Sequence, residues 1–326
     1  MLGSERLPEI LALGEPMAEF AAEARGRLGT ARTFRRGFGG DTANFIVAAS
    51  RTGARCGYVT RLGGDEFGRA FLSLWEQEGI DRSRVIVEPE GTTAVYFIAR
   101  REDGGHDFTY YRAHSPASRL QPDDLDAAYL AGAKVFHTSG ISQAISASAR
   151  ATVDAAIDVV ARGGGKISYD ANVRPRLWPI DVARHVVERT FGRAQLVFLS
   201  TEDAAHLYPG MRAEEVVRRV LDCGPRLVVL KQGADGCLIA PAEGALLHLP
   251  GWPVEVVDTT GAGDAFAAAF VSAWLAGAPL DEAAVQANAV GALTTMGLGA
   301  VAPIPTRAAV TAFLRERQTT THHRRE

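Results

Sequence analysis

The stretch best suited to chemistry is the nine-residue run 258–266, which reads DTTGAGDAF. Gly261 and Gly263 let the backbone turn tightly with no side chain in the way. The alanine-rich segment that follows favours a helix, and the free N–H groups and positive dipole end at its start would stabilise an anion such as a phosphate. The turn Gly261, Ala262, Gly263 is therefore a candidate anion hole for the charge that spreads over a phosphoryl group during its transfer.

Asp264 lies at the start of the same predicted helix. A carboxylate there can accept the proton of a hydroxyl group that attacks phosphorus, so Asp264 is the candidate general base. Asp is also a favoured N-cap, so Asp264 taken alone could simply cap an ordinary helix. The whole run, behind a strand-like segment at 254–257 and ahead of a helix at about 262–277, is more specific than Asp264 alone and favours catalysis.

Short apolar runs predict the buried strands that must position this turn. The runs are residues 10–13, 135–137, 166–169, 196–199 and 227–230. Segments with helical periodicity, such as 145–162 and 212–222, fall between most of them. Because strands alternate with helices, the pattern predicts an α/β fold with a parallel sheet that is covered on both faces.

Four β-rich segments interrupt this alternation. They are residues 15–20, 32–38, 92–100 and 106–112. The turn residues Asp103, Gly104 and Gly105 predict a hairpin between the last two segments. We expect a small sheet, from about 14–38 and 92–114, that projects from the main domain as a lid and excludes water. The alternative is a set of edge strands without that role.

Composition narrows the class of protein. The chain has 326 residues, of which 47% are hydrophobic, and a formal net charge of -3. No basic stripe stands out, which argues against nucleic acid as a partner. The N-terminus lacks a signal-peptide pattern and no apolar run is long enough to span a bilayer, so we expect a cytoplasmic protein without a membrane partner.

The run DTTGAGDAF resembles the C-terminal signature of the PfkB, or ribokinase-like, carbohydrate kinases. Residues 39–44 (GGDTAN) match that family's N-terminal GGxxxN signature, and residues 63–68 (GGDEFG) match its GxDxxG region. The resemblance extends from about Ile10 to Phe313. It implies a ribokinase-like three-layer α/β sandwich, with a mainly parallel central sheet and a small β-sheet lid. This fold would occupy one domain, 1–318, ahead of a polar tail, 319–326, that we expect to be disordered.

The resemblance also carries functional roles to the matching positions. Asp264 matches the catalytic base of the family, and the turn from Gly261 to Gly263 matches its anion hole. The positions that match sugar-contacting residues are Gly39, Gly40, Asp41 and Asn44. Asp and Asn side chains offer hydrogen-bond donors and acceptors to several hydroxyl groups, while glycine lets a substrate approach the backbone.

The implied cofactors are ATP and Mg²⁺. Residues 231–236 (KQGADG) resemble the family's KxGxxG nucleotide segment. The residues assigned to ATP on this basis are Asn172, Ser200, Lys231, Gly233, Gly236 and Asn288. Many members carry NxxE after a central strand, where this chain has STED at 200–203, so we assign no direct Mg²⁺ ligand. In some relatives the equivalents of Asp258 and Thr260 hold a monovalent cation, which makes K⁺ a candidate there.

Three segments are similar to the 2-keto-3-deoxygluconate kinases of this family. They are residues 14–16 (GEP), 110–112 (YYR) and 170–178 (DANVRPRLW). The substrate of those enzymes carries a carboxylate, which the planar fork of an arginine binds bidentately. The residues assigned to the substrate by this similarity are Tyr96, Tyr110, Arg112 and Arg174. The alternative for either arginine is a structural salt bridge.

The sequence therefore predicts ATP-dependent phosphorylation of a sugar-acid hydroxyl, with 2-keto-3-deoxygluconate converted to its 6-phosphate. Two alternatives stay open: a kinase for a neutral sugar such as fructose or ribose, and a sugar-binding regulator that has lost catalysis. Because lid strands of this family can pair between subunits, a homo-oligomer is a further expectation.

Overall fold

The computed structural model describes residues 7–102 and 105–322, and it describes side chains up to residue 317. In these ranges the strands are β1 (Ile10–Leu13), β2 (Met17–Arg25), β3 (Phe34–Gly39), β4 (Cys56–Gly63), β5 (Val85–Glu88), β6 (Val95–Arg100), β7 (His106–Tyr111), β8 (Val135–Ser139), β9 (Lys166–Asp170), β10 (Leu196–Ser200), β11 (Leu227–Lys231), β12 (Cys237–Pro241) and β13 (Leu247–Leu249). The helices are α1 (Asp41–Arg51), α2 (Glu66–Gln77), α3 (Ala127–Ala131), α4 (Gly140–Ala144), α5 (Ala147–Arg162), α6 (Ile180–Phe191), α7 (Thr201–Leu207), α8 (Ala213–Leu221), α9 (Ala262–Leu275), α10 (Leu280–Thr294) and α11 (Arg307–His322).

Nine strands form the central sheet, in the order β13-β12-β11-β10-β9-β8-β1-β4-β5. The strands from β11 to β5 are parallel, and β12 and β13 run antiparallel at one edge. The five apolar runs of the sequence are β1, β8, β9, β10 and β11, which are consecutive neighbours in the middle of the sheet. Strands buried on both faces read as continuous apolar runs, which is why these five were predictable and the outer strands were not.

Helices cover both faces of this sheet, as a three-layer sandwich requires. Ile10 and Phe198 belong to one core, with α1, α2, α9 and α10. Their chain neighbours Leu11 and Val197 belong to the opposite core, with α5, α6 and α8. This alternation is the period-two geometry of a strand, and it confirms the fold class predicted from the sequence.

Small side chains set the position of α9. Its buried face is rich in alanine, and the helix packs against both α1 and α10. Because alanine allows close helix contact, the starts of α9 and α1 lie next to each other, and this brings the two signature motifs together.

A second sheet of four strands, in the order β3-β2-β6-β7, lies apart from the first. Its central pair, β2 and β6, is parallel, and the two outer strands are antiparallel to their neighbours. The register places Glu19, Tyr96 and Tyr110 in one row across three strands, and therefore on one face. This sheet corresponds to the predicted lid. Two residues of the predicted hairpin turn, Asp103 and Gly104, lie outside the described residues.

Two expectations differ from the structure. The strand expected at 254–257 is wrong: the segment joins no ladder, the Val257 amide donates to the Thr295 carbonyl at 2.8 Å, and Val256 is 57% exposed. A run of β-branched residues on the surface finds no strand edge to pair with. Residues 319–322, expected to belong to a tail, continue α11 to His322. No described helix has the length and apolar character needed to cross a bilayer.

Candidate active site

The predicted anion hole is formed by the turn that opens α9. Gly261 is the N-cap and has a φ of 77°, a left-handed conformation that favours glycine. The amides of Gly263 and Asp264 donate to no other group in the described part of the protein, and Gly263 is exposed. These two N–H groups therefore remain available to an anion at the positive end of the helix.

Asp264 lies in the first turn of α9 and keeps partial solvent exposure. Its Oδ2 accepts a hydrogen bond from Asn44 Nδ2 at 2.8 Å. Burial among protein groups raises the pKa of Asp264 to about 7, the charge of Asp41 adds to the rise, and the bond from Asn44 opposes it. A carboxyl group with this pKa is suited to accept a proton near neutral pH.

The motif at the start of α1 that matches the sugar signature lies next to the start of α9. Gly40, the N-cap of α1, has a φ of 99°, and a Cβ placed on it would lie 2.2 Å from the Glu15 carbonyl oxygen. Asp41 Oδ2 accepts a hydrogen bond from Asn172 Nδ2 at 3.0 Å. The structure thus places Asn172, which we expected at the nucleotide, against the sugar motif. Asn44 Oδ1 is buried, has no hydrogen-bond partner in the described part of the chain and is an acceptor available at this site.

Lys231 supplies a cation next to the anion hole. A Cβ placed on Gly263 would lie 3.4 Å from Lys231 Nζ, and the same Nζ contacts Asp170 Oδ2 at 2.5 Å. Burial opposes the charge of the lysine, but the carboxylates of Asp170 and Asp203 raise the pKa of Lys231 and keep it cationic. Lys231 therefore lies closer to the predicted anion hole than its place in a nucleotide segment suggested.

The departure from NxxE has a structural role. Asp203 Oδ2 accepts from the amide of Ser200 at 2.7 Å, and the two residues form a capping box at the start of α7. Asp203 Oδ1 accepts from the amide of Val173 at 2.7 Å, which holds the segment that carries Arg174. Both side chains are thus committed to the backbone, and Ser200 is placed as a helix cap.

A metal ion would have few protein oxygens here. Among the described residues, no group of three or more His, Cys, Asp or Glu side chains is arranged to hold a metal. Asp170 Oδ1 is buried and has no hydrogen-bond partner within the ranges that the structure describes. Mg²⁺ is commonly bound by one or two carboxylates together with waters and phosphate oxygens, so this single free oxygen fits a nucleotide-bound Mg²⁺.

Two residues expected at ATP, Gly236 and Asn288, meet at one backbone segment. Gly236, with a φ of 94°, would carry a Cβ 2.1 Å from the Leu249 carbonyl oxygen. Asn288 Nδ2 donates to the carbonyls of Leu249 and Pro250 at 3.3 and 3.0 Å. Gly233 opens the short turn before Gly236. Gly236 and Asn288 therefore fix how α10 lies against the end of β13, and an adenine pocket at this place stays a prediction.

The two predicted carboxylate-binding arginines differ. Arg112 forms a salt bridge with Glu15, a residue that is 1% exposed, and its guanidinium lies 5.7 Å from the centre of the Tyr110 ring. Arg174 has no ion pair among the described residues, and its Nη1 donates only to the carbonyl of Val173. Burial opposes its charge, but the carboxylates of Asp203, Asp264 and Asp41 raise the pKa of Arg174. Arg174 is thus the arginine available to a ligand.

The tyrosines differ as well. Tyr96 is buried, and its hydroxyl donates to Glu19 Oε2 at 2.5 Å, so that hydroxyl is already engaged. A Cβ placed on Gly39 would lie 2.2 Å from the same hydroxyl oxygen, which explains a glycine at that position. Tyr110 stacks on Tyr96 at 5.9 Å and is 38% exposed. Tyr110 can therefore meet a ligand, while Tyr96 supports it.

Asp258 stabilises the turn that precedes α9. Its Oδ1 accepts from the amide and the hydroxyl of Thr260 at 2.9 and 2.7 Å, and its Oδ2 accepts from the amide of Gly299 at 2.8 Å. The carboxylate therefore serves the backbone around the anion hole, and K⁺ at this position stays a prediction.

A cavity of about 510 Å³ lies at the base of β7, and its lining includes Thr93, Tyr110, Arg112, His114 and Arg119. The lining does not include Asp264 or the turn before it. The cavity is therefore distinct from the predicted phosphoryl-transfer site.

Four ionisable residues near the site were missed by sequence reasoning. They are Glu15, Glu19, His106 and Asp170. A signal existed for Asp170, because it ends an apolar strand, and ligands in parallel α/β sheets bind at the carboxyl ends of strands. Glu15 lies in the GEP segment that is similar to the 2-keto-3-deoxygluconate kinases, although no role was assigned to it. Glu19 carries no such signal, since an acidic residue near a β-like stretch is ordinarily exposed.

Known proteins are similar in sequence to this chain. The sequence model of the pfkB family carbohydrate kinases matches residues 7–307. A 2-dehydro-3-deoxygluconokinase of Thermoproteus tenax is 34% identical over 294 residues, which cover 89% of each chain. Fructokinase-1 of Zea mays is 32% identical over 314 residues, covering 92% of this chain and 96% of the relative.

Solved structures are also similar to this chain. The fructokinase of Vibrio cholerae O395, in its fructose, ADP and calcium ion bound form, is 28% identical, with a TM-score of 0.84 over 95% of this chain and 100% of that one. Motifs, fold and length thus coincide along nearly the whole chain. The protein belongs to the pfkB family of carbohydrate kinases and is an ATP-dependent sugar kinase.

Proposed function

We propose that the substrate is a small sugar acid, 2-keto-3-deoxygluconate (also called 2-dehydro-3-deoxygluconate), and that the product is its 6-phosphate. The observation that carries the proposal is Arg174, a cationic side chain with no carboxylate partner among the described residues, whose electrostatic neighbours include Tyr110 and Asp264. A guanidinium left unpaired beside the catalytic carboxyl group suits a substrate that brings its own carboxylate. The name of the Thermoproteus tenax relative supports the same substrate.

The chemistry follows from the residues around Asp264. Asn44 holds the carboxylate of Asp264 in place, and Asp264 accepts the proton of the terminal hydroxyl as that oxygen attacks the γ-phosphorus of ATP. The free amides of Gly263 and Asp264 stabilise the charge of the phosphoryl group during its transfer, together with the nearby Lys231.

Mg²⁺ bound with ATP would supply further charge neutralisation, and Asp170 is the residue with a free oxygen to hold it. Lys231 would exchange part of its contact with Asp170 for the phosphate. Gly40, Asp41 and Asn44 would orient the sugar, because the acceptors and donors of Asp and Asn side chains suit hydroxyl groups.

A panel of sugars tests the substrate. We expect ADP formation with 2-keto-3-deoxygluconate at a kcat/KM well above that for fructose or ribose. Arg174→Met should lower kcat/KM for the acid by about 10- to 100-fold, because hydrogen bonds to charged groups typically contribute that much to binding. The same substitution should change the turnover of any neutral sugar little. Arg176→Met is the matched control, because Arg176 is an exposed arginine two residues away.

Equal losses for acid and neutral sugars in Arg174→Met would remove the carboxylate argument. A neutral-sugar kinase is the second candidate, because the Zea mays relative is a fructokinase and because Glu15 already occupies Arg112. A preference of the wild-type enzyme for fructose would establish that candidate.

A further inference from the structure

One buried acid of the lid reaches toward the anion hole. Glu19, on β2, is 2% exposed. Its Oε2 accepts a hydrogen bond from the Tyr96 hydroxyl at 2.5 Å and another from the amide of Ala300 at 3.2 Å. Tyr96 lies on β6, whereas Ala300 belongs to the loop that follows α10. A single carboxyl group therefore joins the two central lid strands to a loop of the main domain.

Ala300 lies directly against the anion-hole turn. A Cβ placed on Gly261 would lie 2.8 Å from the carbonyl oxygen of Ala300 and 3.1 Å from its Cβ. The backbone of Gly261 thus touches Ala300 with no room between them. Close-packed interiors transmit displacement, so a shift of Ala300 would move the turn whose amides face the phosphate.

The packing around Glu19 is equally close on its other side. A Cβ placed on Gly299 would lie 2.5 Å from Glu19 Oε1, and one placed on Gly37 would lie 2.7 Å from it. Gly299 also donates its amide to Asp258, the residue that holds Thr260 at the start of the turn. The loop at 299–300 is therefore fixed from the lid by Glu19 and from the turn by Asp258.

A second lid residue touches the same framework. His106 Nε2, on β7, lies 3.6 Å from Asp258 Oδ1. The ionisable groups that face Glu19 are thus Tyr96 from β6 and Asp258 from the segment before α9, with His106 beyond Asp258. Three of the four lid strands, β2, β6 and β7, contribute a polar side chain to this cluster.

We propose that Glu19 is a positioning residue that couples the lid to the anion hole, so that seating the lid over the sugar fixes Ala300 and, through it, the Gly261 turn. Phosphoryl transfer would then be favoured only when the lid is in place. The geometric link stands by itself, and its consequence for turnover rests on the proposed function.

Hydrogen exchange tests the link without any activity measurement. In the full-length protein without ligand, Glu19→Ala should speed amide exchange about tenfold in peptides covering 258–266 and 297–301, because contacts that restrain local opening are lost. Peptides from β10 should be unaffected. Glu19→Gln keeps an acceptor oxygen for Tyr96 and Ala300 and should exchange like the wild type. Glu23→Ala, an exposed acid on the same strand, is the matched control.

Faster amide exchange at 297–301 alone would overturn the proposed coupling. It would show that the effect of Glu19 reaches Ala300 but not the anion-hole turn. Acceleration in every peptide would also overturn it, since Glu19 would then serve general stability. Should Glu19→Ala fail to fold, Tyr96→Phe removes one donor from the same carboxyl group and should speed exchange in both segments by a smaller factor.

Kinetics supply the second readout. Glu19→Ala should lower kcat by about tenfold or more with little change in the KM for ATP, because the anion hole acts on the transition state rather than on bound nucleotide. Glu19→Gln should recover most of that loss. Absence of kinase activity in the wild-type protein would refute the proposed function. The coupling would then be judged by the hydrogen-exchange result. A normal kcat in Glu19→Ala would refute the effect of the coupling on turnover and would leave the proposed function intact.

Discussion

Asn44 donates a hydrogen bond to Asp264 at 2.8 Å, although the two residues are 220 positions apart. One lies at the start of α1, in the motif that matches the sugar signature, and the other lies at the start of α9, in the motif that matches the phosphoryl-transfer signature. The contact orients the base toward the place where the sugar is expected. It also stabilises the ionised form of Asp264, against burial and the charge of Asp41.

The pH dependence of turnover should report Asp264. Its pKa is raised to about 7, chiefly by burial, and a general base works only when ionised. We therefore expect kcat/KM to fall as the pH drops below about 7, approaching a tenfold loss per pH unit. The measurement is kcat/KM between pH 5 and 9 at saturating Mg²⁺. A profile that stays flat down to pH 5 would contradict the role of Asp264.

Asp264→Asn should abolish most turnover and stabilise the fold. Loss of a general base costs about 10²- to 10⁴-fold in rate. The folded pKa of about 7 exceeds the unfolded value, so ionised Asp264 penalises folding increasingly from about pH 4 to 7 and fully above that. The variant should thus gain up to about 4 kcal/mol over the wild type at pH 8 and little at pH 4. Urea denaturation at both pH values measures this difference.

Lys231→Met should lose both stability and activity. Removing one partner of a buried ion pair costs about 3–5 kcal/mol, because it leaves the carboxylate of Asp170 unpaired. The double variant Lys231→Met, Asp170→Asn should regain most of the stability and none of the turnover. Denaturant unfolding and steady-state kinetics on the same samples separate the two effects. Recovery of turnover in the double variant would show that Lys231 has no part in transfer.

Arg112 and Arg174 should respond differently to the same substitution. Arg112→Met leaves the buried carboxylate of Glu15 unpaired and should cost about 3–5 kcal/mol of stability. Arg174→Met breaks no ion pair among the described residues and should unfold at nearly the wild-type denaturant concentration. Similar losses of stability in both variants would mean that Arg174 is also structural.

Much of this protein was readable from the sequence because the relevant physics is local. The strands β1, β8, β9, β10 and β11 are buried on both faces, so each is a short apolar run. The turn before α9 needs glycine where φ is positive, and the run GAGD records that need directly. The lid strands were likewise predictable, because their segments are rich in residues that favour strands. The segment 254–257 has the same β-branched composition and forms no strand, because pairing depends on a neighbour that composition does not reveal.

What the tertiary structure alone decided is which polar groups meet. Arg112 and Arg174 read alike in the sequence, yet Glu15 pairs with Arg112, while Arg174 has no ion pair among the described residues. Lys231 belongs to a segment expected at the nucleotide, yet the sheet order brings it to Asp170 and the anion hole. A buried charge interacts with whatever the fold places within a few ångströms, and those neighbours come from distant parts of the chain. Local pattern therefore determined the elements and the motif, and three-dimensional packing assigned the partners that give each side chain its role.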